Sequence, residues 1–234
     1  MADSSHMHTL RPRAGRVVQA ALAVFAYVFT ASFAHAPAEP VRAGVDALGR
    51  LKAGNERFVR GGSPDAGDTA PAEPAAMVLS CADMRMAPEL IFGAAPGELY
   101  VVRSLGQVVD RAVTASLEHG AEALRLPVLV VMGHDHCAVV AQAVEAPATA
   151  LSAHLEFLLK AIRAGLPRTP FEQKDVRAAV LANVEQVIND LLGSSQVLRT
   201  AVQSGRLLVV GAYYESGTGQ VVFSDPIGPG MSWH

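Results

Sequence analysis

Two short segments carry side chains whose types and spacing suit metal binding. Within CADMR, a thiol, a carboxylate and a guanidinium occupy alternate positions, at Cys81, Asp83 and Arg85. Within GHDHC, an imidazole and a thiol lie three residues apart, at His134 and Cys137. Two thiolates, an imidazole and a nearby carboxylate are ligands of the types that Zn²⁺ prefers. Three protein ligands with a water describe a catalytic zinc site and four describe a closed one, and the residue types leave both open.

Each of these segments follows an apolar stretch that is typical of a buried strand. The stretches are MVLS, residues 77–80, and PVLVVMGH, residues 127–134. They alternate along the chain with segments whose apolar residues recur at helical spacing, which predicts an α/β domain with a mainly parallel sheet. Ligands bind beyond the carboxyl ends of the strands in such sheets, so we expect the two segments to meet there.

The predicted fold is a mainly parallel four-stranded sheet with an added antiparallel edge strand, flanked by helices. The SGTG turn joins the last two strands into a hairpin. The predicted strands are residues 77–80, 97–104, 127–134, 206–215 and 220–225. The predicted helices are residues 43–62, a short helix at Pro88, and residues 111–126, 137–146, 148–166, 171–193 and 195–205.

The first 36 residues differ in composition from the rest of the chain. A basic stretch (11–16) precedes an apolar run (17–34) and then small and Pro-rich residues, an order typical of a secretory signal peptide. The run is also near the lower length of a membrane span, about 18 residues, so a retained anchor is the alternative. We expect contact with a membrane only if this N-terminal segment is not cleaved. We expect an exported protein, periplasmic or secreted.

After this leader (1–36) we expect a single zinc-binding α/β domain over residues 43–226 and a loose tail over residues 227–234. The 234 residues are 50% hydrophobic, which suits one domain with a sizeable core. The formal net charge is −3 and no long Lys/Arg run occurs, which argues against a nucleic-acid partner. The chain has only two cysteines, so in an exported protein a Cys81–Cys137 disulfide is an alternative to shared zinc.

Beyond the metal pattern, the chain resembles the β-class carbonic anhydrases. CADMR is similar to that family's Cys-x-Asp-Ser-Arg, and GHDHC is similar to its Gly-His-x-x-Cys. The likeness continues through LKAGNERFV, APELIFGAAPGELYVVRS, ASLEHGAEALRLPVLVVMGH and GRLLVVGAYYESGTGQVVF, and covers residues 45–223. The resemblance implies one Zn²⁺ per subunit held by Cys81, His134 and Cys137. It also implies a catalytic dyad of Asp83 and Arg85.

The resemblance further implies reversible hydration of carbon dioxide to bicarbonate by a zinc-bound hydroxide, in a homodimer or higher homo-oligomer. In one arrangement Arg85 holds Asp83, and Asp83 accepts a hydrogen bond from the zinc-bound water. In the other, Asp83 leaves Arg85, binds the metal and closes the site. Two alternatives keep the scaffold and change the function. One is hydrolysis of carbonyl sulfide or carbon disulfide, and the other is a zinc-binding homologue with little activity.

Three positions depart from the family pattern. Met84 replaces the usual Ser, Ala138 replaces the usual Gly, and Gln107 replaces the usual Asn. None of these positions is a predicted zinc ligand or a member of the dyad. We therefore expect zinc binding to be retained and activity to be reduced or shifted.

Overall fold

The computed structural model describes residues 39–62, 74–145, 152–166 and 175–230 of the chain. Within these ranges the chain forms seven α-helices, five strands and one short 3₁₀ turn. The helices are α1 (Glu39–Val59), α2 (Pro88–Ile91), α3 (Arg111–Glu122), α4 (Ala138–Val144), α5 (Ala153–Gly165), α6 (Val176–Ser194) and α7 (Gln196–Gln203). The strands are β1 (Ala76–Cys81), β2 (Leu99–Ser104), β3 (Val128–His134), β4 (Leu208–Glu215) and β5 (Gln220–Phe223), and the 3₁₀ turn is Leu105–Gln107.

The five strands form one sheet in the order β2-β1-β3-β4-β5. The first four strands are parallel, and β5 runs antiparallel to β4 at the edge. This confirms the predicted mainly parallel sheet with an added antiparallel edge strand. Because β1 and β3 are neighbouring parallel strands, their last residues, Cys81 and His134, lie at the same edge of the sheet.

Helices cover both faces of the sheet, so its central strands are buried on both sides. Every residue of β1 and β3 is buried, which explains why these strands are unbroken apolar runs rather than alternating ones. One core layer packs α1, α4 and α5 against residues such as Val78 and Val130. The other packs α3, α6 and α7 against the alternate residues, such as Leu79 and Val131.

Polar side chains and backbone turns set the helix ends. Backbone N–H groups in the first turns of α3, α5, α6 and α7 donate to the side chains of Asp110, Ser152, Asp175 and Ser195. The helix predicted over residues 111–126 ends earlier, at Glu122. It stops because Arg125 adopts a left-handed φ of 53° and the Leu126 N–H donates to the Gly120 carbonyl at 3.0 Å.

A buried asparagine fastens α1 to the rest of the fold. Asn55 is 5% exposed, and its Nδ2 donates to the carbonyl oxygens of Ile91 at 3.1 Å and Gly219 at 2.8 Å. Its Oδ1 accepts a hydrogen bond from the Val221 N–H at 2.9 Å. Gly54 beside it allows the close approach of α1, because a Cβ there would lie 1.8 Å from the Phe92 carbonyl oxygen.

The first residue of the expected loose tail, residues 227–234, contacts the sheet. Ile227 pairs with Val209 of β4 through two backbone hydrogen bonds of 3.1 and 2.8 Å. The pairing forms because β5 ends beside Ala212, and the chain that follows it satisfies the backbone of β4 that β5 leaves open. Residues 231–234 lie outside the described residues, as does the predicted leader, residues 1–36. None of the helices within the described ranges has the length and apolar character needed to cross a membrane.

Candidate metal centre

The three predicted zinc ligands converge at the carboxyl edge of the sheet. Cys81 is the last residue of β1, His134 is the last residue of β3, and Cys137 immediately precedes α4. They are 1%, 1% and 2% exposed, and their ligand atoms all lie within 4.8 Å of one another. The tight turn between His134 and Cys137 brings both onto the side where β1 ends. The structure therefore brings together the residues that the sequence singled out.

The imidazole of His134 is oriented as a metal ligand would be. Its Nδ1 lies 2.7 Å from the carbonyl oxygen of Asp135, and a carbonyl can only accept, so Nδ1 carries the proton. Nε2 is then left with a free lone pair. That atom is buried and has no hydrogen-bond partner within the described part of the chain. A ligating histidine normally donates its other ring N–H to a carbonyl or carboxylate, so this arrangement fits a cation bound at Nε2.

Charge at the site also favours a cation. A hydrogen bond from Cys137, working against burial, lowers the pKa of Cys81 to about 4, and the nearby His134 imidazole and the Gly106 N–H add to this effect. The same thiol–thiolate bond raises the pKa of Cys137. Burial disfavours protonation of His134, but the neighbouring Cys81 sulfur outweighs it and raises the pKa of the imidazole. A buried thiolate thus draws positive charge, and a metal ion would supply it while displacing the remaining thiol proton.

Asp83 and Arg85 form the predicted pair beside these ligands. Arg85 donates from Nε to Oδ1 at 2.9 Å and from Nη2 to Oδ2 at 3.0 Å, and its backbone N–H donates to Oδ1 at 2.9 Å. These bonds hold the pKa of the Asp83 carboxyl far below its usual range. Arg85 Nη2 also donates to the carbonyl oxygen of His136 at 2.9 Å, so one guanidinium links the two segments that carry the ligands.

A second arginine, which the sequence did not single out as functional, holds the same turn from the other side. Arg103 on β2 donates from Nε to the Cys81 carbonyl at 3.2 Å and from Nη2 to the Asp83 carbonyl at 2.6 Å. Both acceptors are backbone atoms, so no side-chain pattern marks the contact. The one signal in the sequence is an arginine near the carboxyl end of a strand predicted to lie in the same sheet.

The three departures from the family pattern lie in different environments. Met84 is 96% exposed, so its side chain points away from the ligands into solvent. Ala138 is exposed at the first position of α4, where its methyl group is accommodated without a clash. Gln107, by contrast, is 1% exposed, and it lies in the 3₁₀ turn beside Gly106. His136, which lies between the ligands in sequence, has a side chain that is 76% exposed.

Comparisons with known proteins decide the family. A family model described as carbonic anhydrase matches residues 76–221, a range that contains the four parallel strands and all three candidate ligands. The fold is similar to that of the Coccomyxa β-carbonic anhydrase, with a TM-score of 0.59 at 23% identity, covering 86% of this chain and 90% of that one. This chain belongs to the β-class carbonic anhydrase family.

Curated relatives of this β-class carbonic anhydrase cover most of its length. Carbonic anhydrase 2 of Mycobacterium tuberculosis is 34% identical over 197 residues, which is 76% of this chain and 91% of the relative. The carbonic anhydrase of Mycolicibacterium smegmatis is 30% identical over 197 residues, 76% of this chain and 92% of the relative. The fold is also similar to a tetrameric β-carbonic anhydrase of Sordaria macrospora, with a TM-score of 0.57 at 22% identity, covering 87% and 98% of the two chains.

Proposed function

We propose that the protein binds one Zn²⁺ per subunit and catalyses the reversible hydration of carbon dioxide to bicarbonate. The observation that carries the proposal is the convergence of Cys81, His134 and Cys137 beside a carboxylate that an arginine holds ionised. The carbonic anhydrases of Mycobacterium tuberculosis and Mycolicibacterium smegmatis support the same reaction, because the matched region spans over nine-tenths of each.

The donor set fits zinc in particular. Two sulfurs and one imidazole nitrogen are borderline-soft ligands, and three of them leave one tetrahedral position for a water. We expect Sγ of Cys81, Nε2 of His134 and Sγ of Cys137 to hold the ion. Zinc bound in this way supplies acidified water as the nucleophile near neutral pH.

Asp83 then orients the reacting water. Oδ1 accepts two hydrogen bonds from Arg85 and Oδ2 accepts one, so Oδ2 keeps a lone pair that can accept a further hydrogen bond. Because Asp83 is held ionised, it accepts a proton or a hydrogen bond but does not donate one. Arg85 keeps the carboxylate in this position, which favours the arrangement with Asp83 off the metal. The buried strand ends around the ligands keep bulk water away from them.

We also propose that the protein works as a homodimer or higher homo-oligomer and is exported. The edge strand β2 supports association, because Leu99, Tyr100, Val101 and Val102 are apolar and only half-buried in the single chain. The structurally similar Sordaria macrospora enzyme is tetrameric. The composition of residues 1–36, a basic stretch before an apolar run, supports export to the periplasm or outside the cell.

Stopped-flow hydration of CO₂ by the zinc-loaded protein between about pH 6.5 and 9 tests the reaction. We expect the rate to scale with bound zinc and to collapse in Cys137→Ser. The exposed Ser194 provides a matched control, and Ser194→Cys should leave the rate unchanged. Stoichiometric zinc with no hydration across this range would refute the proposal in favour of a closed zinc site. Turnover of carbonyl sulfide without hydration of CO₂ would refute it in favour of the related hydrolase.

A further inference from the structure

A buried asparagine on α6 is connected to the metal centre through one residue of the 3₁₀ turn. Asn183 is 1% exposed, and its Nδ2 donates to the carbonyl oxygen of Gly106 at 2.9 Å. The backbone N–H of Gly106 donates in turn to Sγ of Cys81 at 3.3 Å. Two hydrogen bonds therefore link a helix in the core to the sulfur of a candidate zinc ligand.

The turn needs this support because its backbone conformation is unfavourable. Gly106 has a φ of 65° and Gln107 has a φ of 46°, so two successive residues lie in the left-handed region. Gln107 carries a Cβ, and such a residue costs on the order of 1 kcal/mol there unless its surroundings impose the conformation. A Cβ at position 106 would also lie 2.9 Å from Cδ1 of Ile162, so a side chain there would make the isoleucine shift.

Asn183 controls the direction of the Gly106 N–H. Its side-chain amide fixes the carbonyl of Gly106 and so the peptide unit after that residue. The N–H of Gly106 belongs to the unit before it, and the two units meet at the Gly106 Cα, whose φ of 65° sets the angle between them. On the other side, the Ser104 hydroxyl donates to the Val108 carbonyl at 2.7 Å and closes the ends of the turn. With both ends fixed, the N–H of Gly106 is held towards Sγ of Cys81. Without Asn183, the turn can relax towards ordinary φ values and the N–H turns away from the sulfur.

An N–H···S bond changes a thiolate ligand in two ways. It withdraws electron density from the sulfur, and it fixes which sulfur lone pairs remain for the metal. Outer partners of this kind typically change metal affinity by about 10–100-fold when they are removed.

We propose that Asn183 is a positioning residue of the metal centre, which acts through Gly106 to keep an N–H bonded to the Cys81 sulfur. The inference rests on the zinc binding of the proposed function, and it does not depend on the reaction catalysed. It identifies α6, which supplies none of the candidate ligands, as the element that tunes one of them.

The test compares Asn183→Leu with Asn55→Leu. Both replace a buried asparagine that donates to backbone carbonyls. The hydrogen bonds of Asn55, however, join it to backbone atoms of Ile91, Gly219 and Val221, and none of these is a candidate zinc ligand. Zinc affinity is measured by competition with a chromogenic chelator. The sulfur-to-metal charge-transfer band is measured after substitution with Co²⁺, since that band reports the electron density on sulfur. Asn183→Ala, which removes the donor with a smaller apolar side chain, serves if the leucine variant does not fold.

We expect Asn183→Leu to weaken zinc binding by about 10–100-fold and to move the cobalt band to longer wavelength. Asn55→Leu should change neither, although it destabilises the fold. An Asn183 variant with wild-type zinc affinity and an unmoved band would overturn the inference and leave a purely structural role. Zinc-loaded wild-type protein that fails to hydrate CO₂ would refute the proposed function but not this inference. Wild-type protein that binds no zinc would refute both.

Discussion

The amide of Gln107 leads to a prediction that the protein can be made more stable by removing a polar group. Gln107 is 1% exposed, and neither its Oε1 nor its Nε2 has a hydrogen-bond partner within the part of the chain that the structure describes. Its Nε2 lies close to Gly133 of β3. A buried amide without partners has lost its bonds to water and gained nothing in return.

The size of the effect follows from that loss. An unsatisfied buried polar group costs about 1–3 kcal/mol, and an apolar side chain of the same shape does not incur this cost. Gln107→Met keeps the length and the unbranched Cβ, so the backbone strain at a φ of 46° is the same in both proteins. We expect the free energy of unfolding to rise by about 2 kcal/mol. In a domain of this size, that corresponds to a Tm increase of roughly 4–8 °C.

Urea denaturation followed by circular dichroism, at one protein concentration and with saturating zinc, measures this change. Gln203→Met is the matched control, since Gln203 is exposed on α7 and its replacement should alter stability by less than about 0.5 kcal/mol. A Gln107→Met protein that is no more stable than wild type would refute the reasoning. It would show that the amide is hydrogen-bonded in solution, with an enclosed water as the natural partner.

Three further changes probe the fold and the site. Asn55→Leu should lower the free energy of unfolding by about 3 kcal/mol, because it removes three hydrogen bonds worth roughly 1 kcal/mol each; calorimetry that shows no loss would contradict this. Removal of zinc by a chelator should free two thiols, Cys81 and Cys137, and lower the Tm. Thiol titration in denaturant checks the thiols, and a titre of zero would point to a disulfide. Arg85→Lys should reduce kcat/KM at least about 10-fold, because lysine cannot bond both Asp83 oxygens in parallel. The zinc content should stay at one per chain. An unchanged kcat/KM would show that the two parallel hydrogen bonds to Asp83 are dispensable.

The sequence predicted the sheet and the ligands because both are encoded locally. Apolar runs without alternation mark β1 and β3, and the candidate ligands follow directly at their ends. Since neighbouring parallel strands end at one edge, the convergence of Cys81, His134 and Cys137 could be inferred without coordinates. The zinc itself, the export and the oligomeric state stay predictions.

The contacts that the sequence did not predict join distant residues through backbone atoms. Asn183 meets Gly106 across 77 positions, and the acceptor is a carbonyl that every residue type has. Arg103 likewise bonds two carbonyls rather than side chains. Ile227 pairs with β4 only because β5 stops short, and a segment rich in proline and glycine gave no sign of it. The exposure of Met84 depends on the direction of a turn, which residue types do not determine.

The hydrogen bond from Arg85 to the carbonyl of His136 has a consequence for the site when the ion leaves. It ties the CADMR and GHDHC segments to each other through protein atoms alone, at 2.9 Å. Small zinc modules fold around their ion and collapse when it leaves, because nothing else joins their ligands. Here Arg85 also joins the two ligand segments, so we expect them to stay connected when a chelator removes the ion. The position of the two segments then depends on a guanidinium that stays in the chain, and not on the ion alone.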